Sequence, residues 1–303
     1  MRLATVLYNK ESIPVLVNND GQSFLPLTAA AERLTGEGNR IPDTILEIIE
    51  DGEPLNEYIK EILDWASEEK EGRDMWIPLD EAKLLAPIPR PLKNVFCVGK
   101  NYADHAIEMG GPEDIPEHIM VFTKPPTAVI ADKDEVPCHR GVTGQLDYEG
   151  ELAIIIGKAG KAISKTEALD YVYGYTIVND ITARDLQKRH KQFFIGKSLD
   201  GTCPMGPWIV TADEVGDAGK LDIQTRVNGE VRQDSNTSHF IFSIEQIISD
   251  LSKGMTLEPG DIIATGTPAG VGKGFHPPKF LNPGDTIEIK IEKIGMLRNT
   301  ISE

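Results

Sequence analysis

Short strands outnumber helices along this chain of 303 residues, and they do not alternate with helices in a β-α-β rhythm. Turn signals crowd together after residue 90. These observations predict an α+β protein built on a large, curled sheet, not a doubly wound parallel one. Hydrophobic residues at 40% and charged ones at 26% describe a globular chain, long enough for one large domain or two modest ones.

The chain carries 31 Lys+Arg against 48 Asp+Glu, a formal net charge of −17. Such an excess repels phosphate backbones and anionic lipid, which excludes bulk electrostatic binding of nucleic acid or membrane. The opening MRLATVLYNK has no apolar stretch of the signal-peptide kind, and no run approaches the roughly 18 apolar residues of a membrane span. The expected compartment is the cytoplasm. Cys97, Cys138 and Cys203 are too widely spaced for a zinc ribbon or a disulfide framework.

Residues 1–90 hold 9 basic and 18 acidic residues, about half of the excess. Within them Leu55, Tyr58, Ile59, Ile62 and Leu63 fall at i, i+3, i+4, i+7 and i+8, so a helix with a solvated acidic face is expected. Ala86–Asn94 (APIPRPLKN) has three prolines, each fixing φ and restricting its neighbour. It reads as an extended connector between a small N-terminal domain, 1–85, and a second domain, 86–303. Strands are expected at 121–122, 152–156, 175–178, 208–210, 223–227, 262–264 and 287–291, with Asn228-Gly229 closing a hairpin. Capping boxes at Ser164–Glu167 and Ser243–Gln246 predict two helices, the second stopping before Gly254.

The chemistry begins at Asp147-Tyr-Glu149-Gly-Glu151. Residues i and i+2 of a strand share a face, so Glu149 and Glu151 project together, ahead of an apolar run that buries the far end. Paired carboxylates in that setting call for a cation; the alternative is two exposed glutamates at a strand edge. Asp180, at the end of a second apolar strand, is either a third ligand or the cap of the next helix. Oxygen ligands with no Cys or His beside them suit Mg²⁺ or Mn²⁺. His105 and Glu108, at i, i+3 on a short helix, form either a base dyad or an ordinary surface pair. The Gly110-Gly111-Pro112 that follows makes this helix a candidate lid. Arg184 and Gln187 share a helix face. Gly196-Lys197-Ser198 resembles the end of a phosphate loop, but Lys191 stands where its first glycine is required. Lys197 is then a partly desolvated cation facing a carboxylate or enolate, or a snorkelling surface lysine. Thr265–Gly272 is a glycine-rich turn with amides and hydroxyls suited to a carboxylate.

In order, NYADHAIE, FTKP, DYEGELA, VNDITARDLQ, GKSLD, CPMGP and TGTPAGVG resemble the fumarylacetoacetate hydrolase family across residues 86–303. The resemblance implies a mixed β-sandwich or β-roll core of the α+β class and a homodimer. It also implies an Mg²⁺ or Mn²⁺ site at Glu149, Glu151 and Asp180, with His105 and Glu108 as the lid dyad and Lys197 as the active-site lysine. Lys100, Lys124, Arg184, Gln187 and Thr267 are expected on a small anionic 2-oxo acid. Lys100 replaces an arginine common among relatives acting on acylpyruvates, and a monodentate ammonium there changes how a carboxylate is held. The N-terminal 85 residues and RHKQFFIGKSLD are most similar to a bacterial oxaloacetate decarboxylase subgroup. That implies a metal-dependent C–C lyase giving pyruvate and CO₂. The alternatives are a hydrolase of acylpyruvate or fumarylacetoacetate-type substrates, an isomerase of unsaturated dioic acids and, remotely, a non-catalytic metal-binding protein.

Overall fold

The structure, a computed structural model, describes residues 1–36 and 38–303. Strands β1 (Arg2–Tyr8), β2 (Glu11–Val17) and β3 (Ser23–Pro26) come first, then helices α1 (Leu27–Thr35), α2 (Ile45–Asp51) and α3 (Glu53–Glu68). The following strands are β4 (Val95–Gly99), β5 (Met120–Lys124), β6 (Gly150–Ile156), β7 (Val172–Asn179) and β8 (Cys203–Thr211). Then come β9 (Asp222–Val227), β10 (Glu230–Asn236), β11 (Ile262–Ala264), β12 (Thr286–Ile291) and β13 (Gly295–Ile301). Helices α4 (Ala103–Met109), α5 (Arg184–His190), α6 (Phe194–Lys197) and α7 (Ile244–Ser252) lie between them.

The large sheet runs β3-β2-β1-β8-β7-β6-β11-β4-β5, and a smaller one runs β10-β9-β12-β13. Every residue of β6, β7 and β8 is buried, as their unbroken apolar runs require when both faces are covered. Side-chain alternation divides them. Ile154, Ile156 and Ile177 join one core with Ile223, Ile287 and Ile289 of the smaller sheet. Ala153, Ile155 and Val178 join a second core with Ile45, Ile48, Ile59 and Ile62 of the N-terminal helices. Three layers result, with the α+β class and large sheets that the sequence predicts.

All the expected strands are present, and Asn228 and Gly229 both take positive φ in the β9–β10 turn. Ser243 caps α7 by accepting the Gln246 amide, although the Gln246 side chain reaches Asp250 and does not close the box. Leu55, Tyr58, Ile59 and Ile62 form the buried stripe of α3, with Leu63 at its margin. One expected helix is absent. Ser164–Glu167 makes a turn, and a 3-10 segment at Ala168–Tyr171 replaces the α-helix. The chain enters β7 already at Val172, and the short span before the strand takes the tighter 3-10 form. The β1–β2 hairpin is an addition. Asn9 and Lys10, both at positive φ, form its tip, and Arg2 pairs with Val210 to join it to the main sheet.

Candidate active site

Register places the acids. Gly150 pairs with Asn179, so the residues at the entry of β6 lie beside the exit of β7. Glu149, Glu151 and Asp180 meet there, each offering an oxygen within 4.8 Å of the others. All three are buried, so the exposed strand-edge alternative is gone. Asp180 does not cap the next helix, because α5 begins only at Arg184. β11 delivers Thr265–Thr267 to the same place, and the Gly266 amide donates to Glu151 Oε2 at 2.8 Å.

Three buried cations offset these charges. Lys197 Nζ donates to Glu149 Oε2 and Asp180 Oδ2, both at 2.6 Å, and lies 4.8 Å from the Phe122 ring centroid. It is 2% exposed, which excludes a snorkelling surface role. Arg184 Nη2 sits 2.7 Å from Glu149 Oε1. Lys124 Nζ donates to Ile181 O at 2.9 Å and stands 2.8 Å from Asp180 Oδ1. Burial pushes the Glu149 carboxyl up, but Lys197 and Arg184 outweigh it and hold the group well below the usual carboxylate range. Glu151 goes the other way: burial, then the Asp180 and Glu149 charges, raise it strongly. Burial lowers Lys197, and Asp180 and Glu149 more than reverse that.

The donor set fits a hard divalent cation. It contains only oxygens, and Asp180 Oδ1 has no partner at hydrogen-bonding angles, Lys124 being close but misaligned. Glu151 has no cation within salt-bridge distance among the described residues, so its carboxylate form lacks the countercharge that a dication would supply.

Above the acids opens a cavity of about 390 Å³. Glu149, Glu151, Arg184, Gln187, Lys197, Thr267, His105 and Lys100 line it. Lys124 does not; it is fully buried and braces Asp180 from behind. Glu108 also stands back, 3.3 Å from His105 Nδ1, while the Gly270 amide holds its carboxylate at 3.0 Å. Thr267 Oγ1 donates to Gly150 O and accepts from Gln233 Nε2, so its hydroxyl proton is already committed within the protein. Lys100 Nζ reaches Asp114 at 3.0 Å.

Several residues at the site have no role assigned from the sequence. Lys188, Lys191 and Lys273 add positive charge to the cavity wall, and Phe122, Phe193 and Met109 add apolar surface. Burial and the Arg184 charge lower the Lys273 ammonium pKa. Asp147 accepts Arg184 Nε at 2.8 Å. The alternation that pairs Glu149 with Glu151 also includes 147 and gives a usable signal; the loop lysines give none.

The model of the fumarylacetoacetate (FAA) hydrolase C-terminal family matches residues 94–302. The chain belongs to the fumarylacetoacetate hydrolase family. It is 55% identical over 304 residues to a Bacillus subtilis protein named oxaloacetate tautomerase YisK, covering 99% of this chain and 100% of that one. Among solved structures, a fumarylacetoacetate hydrolase from Exiguobacterium antarcticum is 41% identical with a TM-score of 0.83, covering 100% of this chain and 99% of that one. A 5-carboxymethyl-2-hydroxymuconate delta-isomerase from Mycobacterium smegmatis is 34% identical with a TM-score of 0.72, covering 100% and 98%. These relatives of the fumarylacetoacetate hydrolase family bear enzyme names, and this chain is classed among enzymes with them. Among the described residues no helix is long and apolar enough to cross a membrane.

Proposed function

We propose that this protein is a divalent-metal-dependent enzyme that handles oxaloacetate through its enolate. The observation that carries the reading is the buried Glu149–Glu151–Asp180 triad beneath a wall of cations. Glu149, Glu151 and Asp180 would hold Mg²⁺ or Mn²⁺, which when bound would supply Lewis acidity toward a 2-oxo acid. Lys197 sets positive charge beside the developing enolate. Lys100 and the Thr267 amide hold a substrate carboxylate, with Arg184 and Gln187 flanking it. Glu108 engages His105 Nδ1, leaving Nε2 to carry a proton to or from C3.

Moving that proton between C3 and the enol oxygen is keto–enol tautomerisation, the reaction favoured by the name of the 55%-identical relative. Decarboxylation is the second reading: the C3–C4 bond breaks, CO₂ leaves, and His105 or a water protonates the pyruvate enolate. The subgroup motifs and the buried cation Lys197 support it. We further propose a homodimer in the cytoplasm, without nucleic-acid or membrane partners. Its smaller unit is residues 1–85, and its catalytic unit is residues 86–303, which contain every site residue.

Metal-loaded protein should be given enol-oxaloacetate, its ultraviolet absorbance and pyruvate release being followed together, with acetylpyruvate in parallel. Loss of enol absorbance ahead of pyruvate marks the tautomerase, coincident traces mark the lyase, and turnover of acetylpyruvate alone marks the hydrolase. Inertness toward all substrates, with and without Mn²⁺, removes the reading. Glu149→Gln should abolish turnover with the fold intact; retained activity would remove the metal assignment.

A further inference from the structure

Asp147 is fully buried and takes no part in the chemistry above. Its Oδ2 accepts Arg184 Nε at 2.8 Å and the Lys273 amide at 3.0 Å. Its Oδ1 accepts the Gly272 amide at 2.6 Å and its neighbour Tyr148's amide at 3.0 Å. On one side the chain of contacts continues from Arg184 to Glu149, 2.7 Å away. On the other it continues along the loop that seats α4. The Gly270 amide donates to both Glu108 oxygens, at 3.0 and 3.2 Å. A Cβ at Gly274 would stand 2.1 Å from Glu108 Oε1, so the lid carboxylate rests directly on this loop.

The loop is also pressed onto Asp147. A Cβ at Gly272 would meet Lys279 O at 2.3 Å and Asp147 Oδ1 at 2.7 Å. Loop and aspartate therefore have little freedom to move apart, and a shift at one end must strain the bonds at the other.

We infer that Asp147 is a positioning residue that couples the seating of the α4 lid on the 270–274 loop to the orientation of Glu149. The inference rests on the proposed use of Glu149 as a metal ligand and on the expectation from the sequence that α4 is a lid. Coupling of this kind is reciprocal: a seated lid favours the binding geometry of Glu149, and a bound ion favours the seated lid. Lid closure and metal occupancy then rise together, although neither Glu108 nor Gly270 belongs to the acid triad.

The test uses two variants and two readouts, neither of them turnover. Gly274→Ala disturbs Glu108 without touching Arg184 or Glu149. Mn²⁺ is titrated into metal-free protein, and the free ion is followed by paramagnetic resonance. Gly274→Ala should weaken Mn²⁺ binding at least threefold. Asp147→Asn turns an amide group toward Arg184 or the loop, and should speed amide hydrogen exchange across Ala103–Met109 in metal-free protein at least threefold. Wild-type Mn²⁺ affinity in Gly274→Ala, or wild-type exchange in Asp147→Asn, overturns the coupling. Should Asp147→Asn fail to fold, the Gly274→Ala titration decides alone. Wild-type protein that takes up no Mn²⁺ would strike the metal reading, and the exchange measurement, made without metal, would then judge the coupling.

Discussion

Acidic residues on α2 and α3 and acidic residues around the cavity carry the same formal charge and live in opposite surroundings. Glu50, Asp51, Glu53, Glu57, Glu61, Asp64 and Glu68 are exposed, and water screens them. Asp147, Glu149 and Asp180 are buried in ion pairs with Arg184, Lys197 and Lys124, and Glu151 is buried beside them. The net charge of −17 weights both groups equally, yet only the second can organise a ligand. Sign therefore says little about what the protein binds; desolvation decides. An acidic shell and a cationic pocket wall coexist because their charges reside in different dielectric environments.

Breaking a buried pair should have the largest effect. Lys197→Met leaves Glu149 and Asp180 without their shared cation, a loss of about 3–5 kcal/mol for such a group. Turnover should fall about a hundred- to a thousandfold. Added Mn²⁺ should raise the variant's melting temperature more than the wild type's, and equal gains would contradict the shared occupancy of these acids.

His105→Ala comes next. Loss of a positioned proton carrier should cost roughly a hundredfold or more in tautomerisation and leave Mn²⁺ affinity unchanged. Hydrolysis of any acylpyruvate, if detectable, should suffer more than decarboxylation, and the reverse ranking would contradict the roles assigned.

Another buried acid sharpens the contrast. Asp132 accepts the Arg298 amide at 2.7 Å but has no ammonium or guanidinium within salt-bridge distance among the described residues, and burial raises its carboxyl above the ordinary value. A carboxylate whose folded pKa is raised costs stability once pH exceeds its unfolded pKa, and costs nothing where both states are protonated. Asp132→Asn should therefore stabilise the fold modestly at pH 7, with the gain vanishing below about pH 4. A gain constant across pH would show that charge is not the cause.

The smallest effect belongs to the surface. Lys60 lies 2.9 Å from Glu57 and 3.5 Å from Asp213, and Lys60→Ala should change stability by no more than about 0.5 kcal/mol, with activity untouched.

Much of this contrast is legible in the sequence alone. Period-two alternation placed Glu149 and Glu151 together, and period 3.6 placed His105 with Glu108, because both signals are local. The ordered motifs supplied the family. Sequence could not show that Lys124 stands behind Asp180, because that depends on how the end of β5 approaches Ile181. Lys273 and Gln233 escaped notice for the same reason: their neighbours in space are distant in sequence. The missing helix at Ser164 shows the converse, a sound local signal overruled by the strand that follows.

The pairing of Arg2 with Val210 has a consequence for assembly. The β1–β2 hairpin can close by itself, but its far edge waits for β8, some two hundred positions away. Until then Leu3 and Leu16, both fully buried in the finished core, lack the Ile209 cover that completes it. Contacts that span such a separation form late and slowly. The hairpin edge is thus a transient adhesive surface, and refolding at rising protein concentration should lose yield before the mature protein shows any tendency to aggregate.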